Sequence, residues 1–264
     1  VNANGGNGGS GISSDSLTVS DGTVTANGGN SGNSDRSNGG SGISNGGSLT
    51  VSGGTVKAAG GDSKDGYGGD GIRSGGGVTI SGNTVNAAGG NGGKVGGYGI
   101  CSFDRVAISG GTVNAAGGNG KNSNGGDGIR SGGIDLSGSL ELTAKAGSPN
   151  GKALSRAGSE LDLDAIKDKL DPGAKVTTTD ANGKTKEVSN PLPVKPEGPV
   201  IPVEPEGPVV PEESSSSSDG GSATPSAPAS THPGLTVTDK SGAVIDSIST
   251  QSGNTLTICT GRFT

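Results

Sequence analysis

In the segments Leu49-Thr50-Val51-Ser52 and Val56-Lys57-Ala58, apolar side chains alternate with polar ones, the period-2 signature of a strand with one buried face. The same phrase recurs along the first 150 residues. It reads DSLTVSDGTVTA at 15–26, GSLTVSGGTVKA at 47–58, GVTISGNTVNA at 77–87, RVAISGGTVNA at 105–115 and, in decayed form, IDLSGSLELTA at 134–144. Before each copy stand a Gly-rich stretch and a short Gly-Ile element, with its isoleucine at Ile12, Ile43, Ile72, Ile100 and Ile129.

The spacing of these positions predicts how the units stack. From each of those isoleucines to the second apolar position of the next strand (Val19, Val51, Ile80, Ile108, Leu136) takes 7 or 8 residues, and from there to the following Val or Leu takes 5 or 6. The variation collects in the Gly-rich stretch, longest in GGNSGNSDRSNGGSGI. Three short strands, two fixed corners and one elastic corner describe one coil of a parallel β-helix. Three inward columns follow: Val1, Val24, Val56, Val85, Val113 and Leu142; the five isoleucines; and Val19, Val51, Ile80, Ile108 and Leu136. Thr25, Lys57, Asn86 and Asn114 point outward, as do Thr18, Thr50 and Thr79. Glycine at the corners permits positive φ and close backbone approach.

After Leu142 the pattern relaxes into a last coil with Leu154, Leu161 and Leu163 inward, ending the solenoid at 1–163. Residues 164–189 read as a cap: DAIKDKLD forms a short helix stopped at Pro172-Gly173, and KVTTTDANGKTKEV forms a hairpin turning at Asn182-Gly183. Capping covers strand edges that the last coil would leave open. The stretch 190–234, with PVKPEGPVI, PVEPEGPVV and a serine run, is a disordered Pro/Ser-rich linker. Residues 235–264 alternate again and begin a truncated, Ig-like β-domain.

Composition sharpens this picture. Of 57 glycines, 45 lie in the first 150 residues, clustered as GG without the strict period or the proline of collagen. Hydrophobic residues make up 27% of the chain, too few for a conventional core unless they stack in register. A net charge of −6 supplies no basic stripe for nucleic acid. No apolar run spans a bilayer, and the absence of a visible signal peptide suggests an excised fragment. Two cysteines, Cys101 and Cys259, make no disulfide framework.

The phrase GDGI-x-S-x-G-x-(L/V)T(I/V)SGGTV, present with one change from Gly69 to Val85 and in variants around Gly42 and Gly128, resembles repeats of bacterial cell-surface parallel β-helix proteins. It is similar to the clostridial carbohydrate-binding β-helix family and to the GGTVTA-repeat surface proteins of gut Firmicutes, over residues 1–165. The resemblance implies a right-handed helix in a secreted, non-catalytic module that binds polysaccharide. It also implies calcium at the acidic residue of the DGI corner, which here is Asp70 and Asp127 but Ser10, Ser41 and Tyr98 in the other coils.

Chemistry-bearing residues are few. The only histidine, His232, lies in the linker, so neither a Ser-His-Asp nor a Cys-His site can be assembled, and a His-ligated metal site has no ligand. GKT at 183–185 lacks the preceding glycine of a P-loop. Three of the four aromatics, Tyr67, Tyr98 and Phe103, fall within 37 residues. The position after the Gly-Ile isoleucine is Arg73, Cys101 and Arg130 in successive coils, and it points outward. Sugars are held by an aromatic face with planar polar groups, and arginine suits carboxylated sugars through bidentate bonding. Tyr67, Asp70, Arg73, Tyr98, Asp127 and Arg130 therefore form a candidate glycan patch. A blander reading pairs Asp70 with Arg73 and Asp127 with Arg130 as solvated ion pairs, with Tyr98 and Phe103 covering the elastic corner. The function expected is adhesion or carbohydrate binding at the bacterial surface. The alternatives are a purely structural stalk and a pectate-lyase-type enzyme using carboxylates or an arginine base.

Overall fold

The computed structural model describes residues 1–31, 37–192, 247–252 and 255–260. The first of two compact units, Val1–Gly198, is a β-solenoid of about five turns built on parallel sheets. The earlier turns carry three strands, as in Ile43–Asn45, Leu49–Val51 and Thr55–Ala59, while in two later ones the second and third run on as single strands, Arg105–Ala116 and Gly133–Lys145. The five Gly-Ile strands, with Leu154–Arg156 and Ser159–Glu160, form a seven-stranded sheet, and the other two rows, with Lys175–Thr179 and Thr185–Ser189, belong to an eleven-stranded one.

The predicted columns are in register. Val24, Val56, Val85, Val113 and Leu142 pair in sequence, as do the isoleucines from Ile12 to Ile129 and the column from Val19 to Leu136. A further column, Leu17, Leu49, Val78, Val106 and Ile134, and an alanine column, Ala26, Ala58, Ala87, Ala115 and Ala144, complete the side-chain core. Ile43, Ile72, Ile100 and Ile129 are wholly buried, each worth about 1.5–3 kcal/mol of transfer free energy. Val1 is the exception among the inward positions. It continues its column beside Val24 but is 78% exposed, since among the described residues the strand that follows it, Asn2–Asn4, is paired on one side only.

One corner needs left-handed backbone. Gly22, Gly54, Asn83 and Gly111 occupy the same place in successive coils, between the Val19 column and the Val24 column, with φ between 65° and 81°; in the next coil the left-handed residue is Gly138, φ 72°, displaced to the register shift opposite Ile108–Gly110. Glycine and asparagine are the residues that adopt this conformation at low cost.

The Gly-rich stretch departs from the expected elastic corner. It folds into two arms, outward through Gly60-Gly61 and back through Gly68-Gly69 in one coil, and through Gly89-Gly90 and Gly96-Gly97 in the next. Backbone hydrogen bonds zigzag between the arms and across coils: Gly97 N–H to Gly90 O, Gly90 to Gly69, Gly69 to Gly61 and Gly61 to Gly40, each 2.8 Å. A methyl at Gly97 would collide with the Gly69 carbonyl, and one at Gly69 with that of Gly40. Close approach, not positive φ, is what excludes side chains here. At the arm's outer end a ladder of Asx side chains continues the stacking. Asn30, Asp62, Asn91 and Asn119 each accept, through Oδ1, the N–H at the same place in the next coil, at 2.6–3.0 Å.

The stacking continues into the segment expected to cap the solenoid. Leu154 extends the isoleucine column and Val176 extends the valine column, because Lys175–Thr179 pairs parallel with Glu141–Lys145. Each sheet then ends on an antiparallel strand, Ser159–Glu160 in one and Thr185–Ser189 in the other. The latter edge carries Lys186 and Glu187, charges that discourage further pairing. Between them a 3-10 helix, Asp164–Lys169, buries Ile166, and the hairpin turns through Asp180–Lys184 with Gly183 at φ 84°. Apart from residues 190–192, the linker lies outside the described residues. Of the stretch 235–264, the strands Ser247–Ser252 and Thr255–Thr260 are described, and they pair antiparallel.

Candidate functional site

The arms and the isoleucine sheet together position the candidate residues. Asp70 immediately follows the return arm and precedes the Gly71-Ile72 step, so its side chain stands at the boundary between glycine backbone and strand. It is buried, at 6% exposure. Its Oδ1 accepts the Tyr98 N–H of the next coil at 2.9 Å, and its Oδ2 accepts Arg73 Nη1 at 3.1 Å. Asp127 repeats this design two coils on: Oδ1 accepts the Lys152 N–H at 2.8 Å, and Arg130 Nη1 lies 3.8 Å from Oδ2. The ion pairs are therefore present, but they are not solvated ones, since each aspartate is sunk beneath its arginine. Burial pushes the Asp70 carboxyl above its ordinary range, against the opposing pull of the Tyr98 N–H and of Arg73.

Both guanidinium groups are held on two sides. Arg73 lies over the Phe103 ring at 4.9 Å, while Arg130 lies over the Tyr98 ring at 5.1 Å and donates to its hydroxyl at 2.9 Å. Phe103 thus supports an arginine at the far end of the Ile100–Ser102 strand and does not cover the Gly-rich corner. Roughly half of each arginine side chain stays exposed, 44% for Arg73 and 50% for Arg130. In the coil between them, Cys101 pairs in register with both arginines. Its thiol is buried and raised to about 11, chiefly by burial, so it stays protonated and unreactive at neutral pH.

Two hollows flank Tyr98. The larger, about 550 Å³, has a floor of glycine backbone from the return arms, including Gly68, Gly69, Gly96 and Gly97. Its walls are Tyr67, Tyr98 and Arg73, with Asn38 and Asn124 at the rim. Tyr67 is 51% exposed, and its N–H is pinned by Asn38 Oδ1 at 3.0 Å. The smaller, about 190 Å³, is lined by Arg130, Asp127, Lys152, Asn150 and Ser155. The structure thus brings Tyr67, Asp70, Arg73 and Tyr98 together and places Asp127 and Arg130 in an adjoining depression that shares Tyr98. Sequence reasoning missed Asn38, Asn124 and Ser155. The first two lie in Gly/Asn-rich stretches without apolar rhythm, and Ser155 could have been found by extending the arginine column one coil.

The acidic corner does not suit calcium. Both oxygens of Asp70 are already engaged, a guanidinium adjoins each carboxylate, and the described residues hold no group of three His, Cys, Asp or Glu side chains placed for a metal ion. Among the described residues, no helix is long and apolar enough to cross a membrane. No protein-family model matches the chain, and no match was found among curated proteins or solved structures.

Proposed function

We propose that the solenoid is a non-catalytic, extracellular glycan-binding module of a bacterial surface protein. The observation that carries this reading is the larger hollow: a side-chain-free glycine floor between two tyrosines, with a guanidinium fixed at its edge. Pyranose rings present apolar faces to aromatic rings and hydroxyls to planar donors, and here both kinds of partner converge on one depression. Arg73 is immobilised before any ligand arrives, by Asp70 on one side and Phe103 on the other, which lowers the ordering cost of binding. Asp70 and Asp127 are committed to backbone N–H groups and arginines, which supports recognition over acid-base chemistry.

The test is a glycan array probed with the full chain and with a Tyr67→Ala/Tyr98→Ala double variant. Binding to a restricted set of glycans is expected, reduced at least about tenfold in the variant and unchanged by chelation of calcium. Equal binding by the variant, or none to any glycan by the parent, overturns the reading.

A further inference from the structure

Arg73 and Arg130 are not neighbours in the stack. One coil, with Cys101 at the equivalent position, separates them, so their backbone positions stand two coil steps apart, roughly 10 Å. Each arginine serves its own hollow, and the hollows lie in tandem on the two sides of Tyr98. Arg73 spends one N–H group on Asp70, and its remaining donors have no partner among the described residues. The buried aspartates orient the guanidinium groups from below while the exposed halves face outward. Between them, the Cys101 position offers a buried thiol and no donor of comparable strength.

A second observation points to a ligand in the smaller hollow. Ser155 pairs in register with Arg130 and continues the same column. It is 1% exposed, lines the hollow, and its hydroxyl is the one buried side-chain polar atom without a hydrogen-bond partner among the described residues. A buried hydroxyl left unsatisfied destabilises the free protein, and a ligand oxygen in this hollow would relieve that cost.

We infer that the two hollows form one extended site for an acidic polysaccharide running along the solenoid axis, with a carboxylate on every second sugar. The planar fork of arginine matches a carboxylate in bidentate fashion. Two coil steps correspond to about the length of a disaccharide, so one carboxylate meets Arg73 while the next in the series meets Arg130. The sugar between them crosses Tyr98 over the coil that lacks an arginine. This inference rests on the glycan-binding reading and adds to it the charge and the repeat of the ligand.

Calorimetry on the full chain tests it with hyaluronan and chondroitin octasaccharides, which carry a uronate on alternate sugars. The same oligosaccharides with carboxyls reduced to alcohols, and an oligogalacturonate of equal length, serve as comparisons. At least one alternating oligosaccharide is expected to bind about tenfold or more tighter than its reduced form and than the oligogalacturonate. Arg73→Lys and Arg130→Lys keep a cation beside the buried aspartates but lose the fork, and each is expected to lose about tenfold in affinity. Ser155→Ala is expected to lose a few-fold in affinity while the melting temperature holds or rises, a pattern that a merely structural serine would not give. Equal affinity for the reduced oligosaccharides, or for oligogalacturonate, overturns the inference and leaves the glycan-binding reading standing. Absence of binding to these and to every neutral glycan removes both.

Discussion

Each coil is built from two unlike halves. In the strand half, columns of Ile, Val, Leu and Ala fill the interior, and stability comes from apolar surface removed from water. In the arm half the interior is glycine backbone, packed so closely that a single methyl group has no room, and held by interlocking N–H to carbonyl bonds. The contrast explains how a chain with 27% hydrophobic residues forms an ordered solenoid: only half of each coil needs a hydrophobic core. It also explains where the hollow comes from. An arm without side chains leaves a sunken surface, and the tyrosines that interrupt the glycines become its walls.

The sharpest way to break this comparison is a methyl group in the arm. Gly97→Ala is expected to cost more than about 4 kcal/mol, because the Gly68–Gly69 backbone of the preceding coil must move. Gly82→Ala is the control: its Cβ would meet nothing nearer than the Ser52 carbonyl oxygen at 3.5 Å, and its backbone lies outside the left-handed region. That variant should melt within about 1 kcal/mol of the parent. If thermal unfolding followed by circular dichroism shows equal losses, the arms are flexible loops and the two-halves account is wrong.

In the strand half, Ile100→Ala removes a wholly buried side chain from the middle of its column. It should cost about 2–5 kcal/mol, with Ile100→Val nearer 1 kcal/mol. Such graded losses are the mark of a side-chain core, whereas the arm should respond to its first added carbon almost completely. Denaturant midpoints for the two isoleucine variants check the gradation.

The strand half was legible because the identities of the apolar residues repeat: Val24, Val56, Val85 and Val113 announce their own register, and the register was found as read. The arm half was not. Glycine carries no side chain and thus no periodicity, so the sequence shows a corner of variable length and nothing of the backbone packing that orders it. One signal was available in the recurring Gly-Gly-Asx at Asn30, Asp62, Asn91 and Asn119, which marks a rung in four successive coils. Val176 was missed for a different reason: Lys175–Thr179 alternates as any hairpin strand does, and only the fold shows that it pairs with the last coil as well. At the candidate site, the pairing of Asp70 with Arg73 could be read from their spacing. That Asp70 also reaches Tyr98 N–H, and is buried by doing so, depends on the stacking of coils.

The Asx ladder offers a smaller effect. Asn91→Ala removes the acceptor for the Asn119 N–H at an exposed edge, where water can substitute, so a loss of about 1 kcal/mol is expected. Asn91→Asp should restore most of it, since Asp62 already fills the equivalent rung. Hydrogen exchange of the Asn119 amide reports this directly. Faster exchange in the alanine variant and parent-like exchange in the aspartate variant would place the ladder among the contributors to stability.

The smallest stability effect, and the one whose sign is most informative, is expected at Asp70. Burial holds its folded pKa above the ordinary value of 3.8. A carboxyl with a raised folded pKa binds more protons folded than unfolded. Its contribution is most favourable below the unfolded value and is lost as pH rises through the folded one. Asp70→Asn keeps an oxygen for the Tyr98 N–H while removing the buried charge, so at neutral pH the variant should be as stable as the parent or slightly more so, within about 1 kcal/mol. The difference should shrink as pH falls below 4. Glycan affinity should fall, because Arg73 loses the group that fixes it from below. Melting temperatures at pH 3 and pH 7 decide the matter. A variant clearly less stable at pH 7 would show that the pair with Arg73 outweighs the cost of burial. If stability holds while binding is lost, the aspartate is present to aim an arginine and the fold does not depend on its charge.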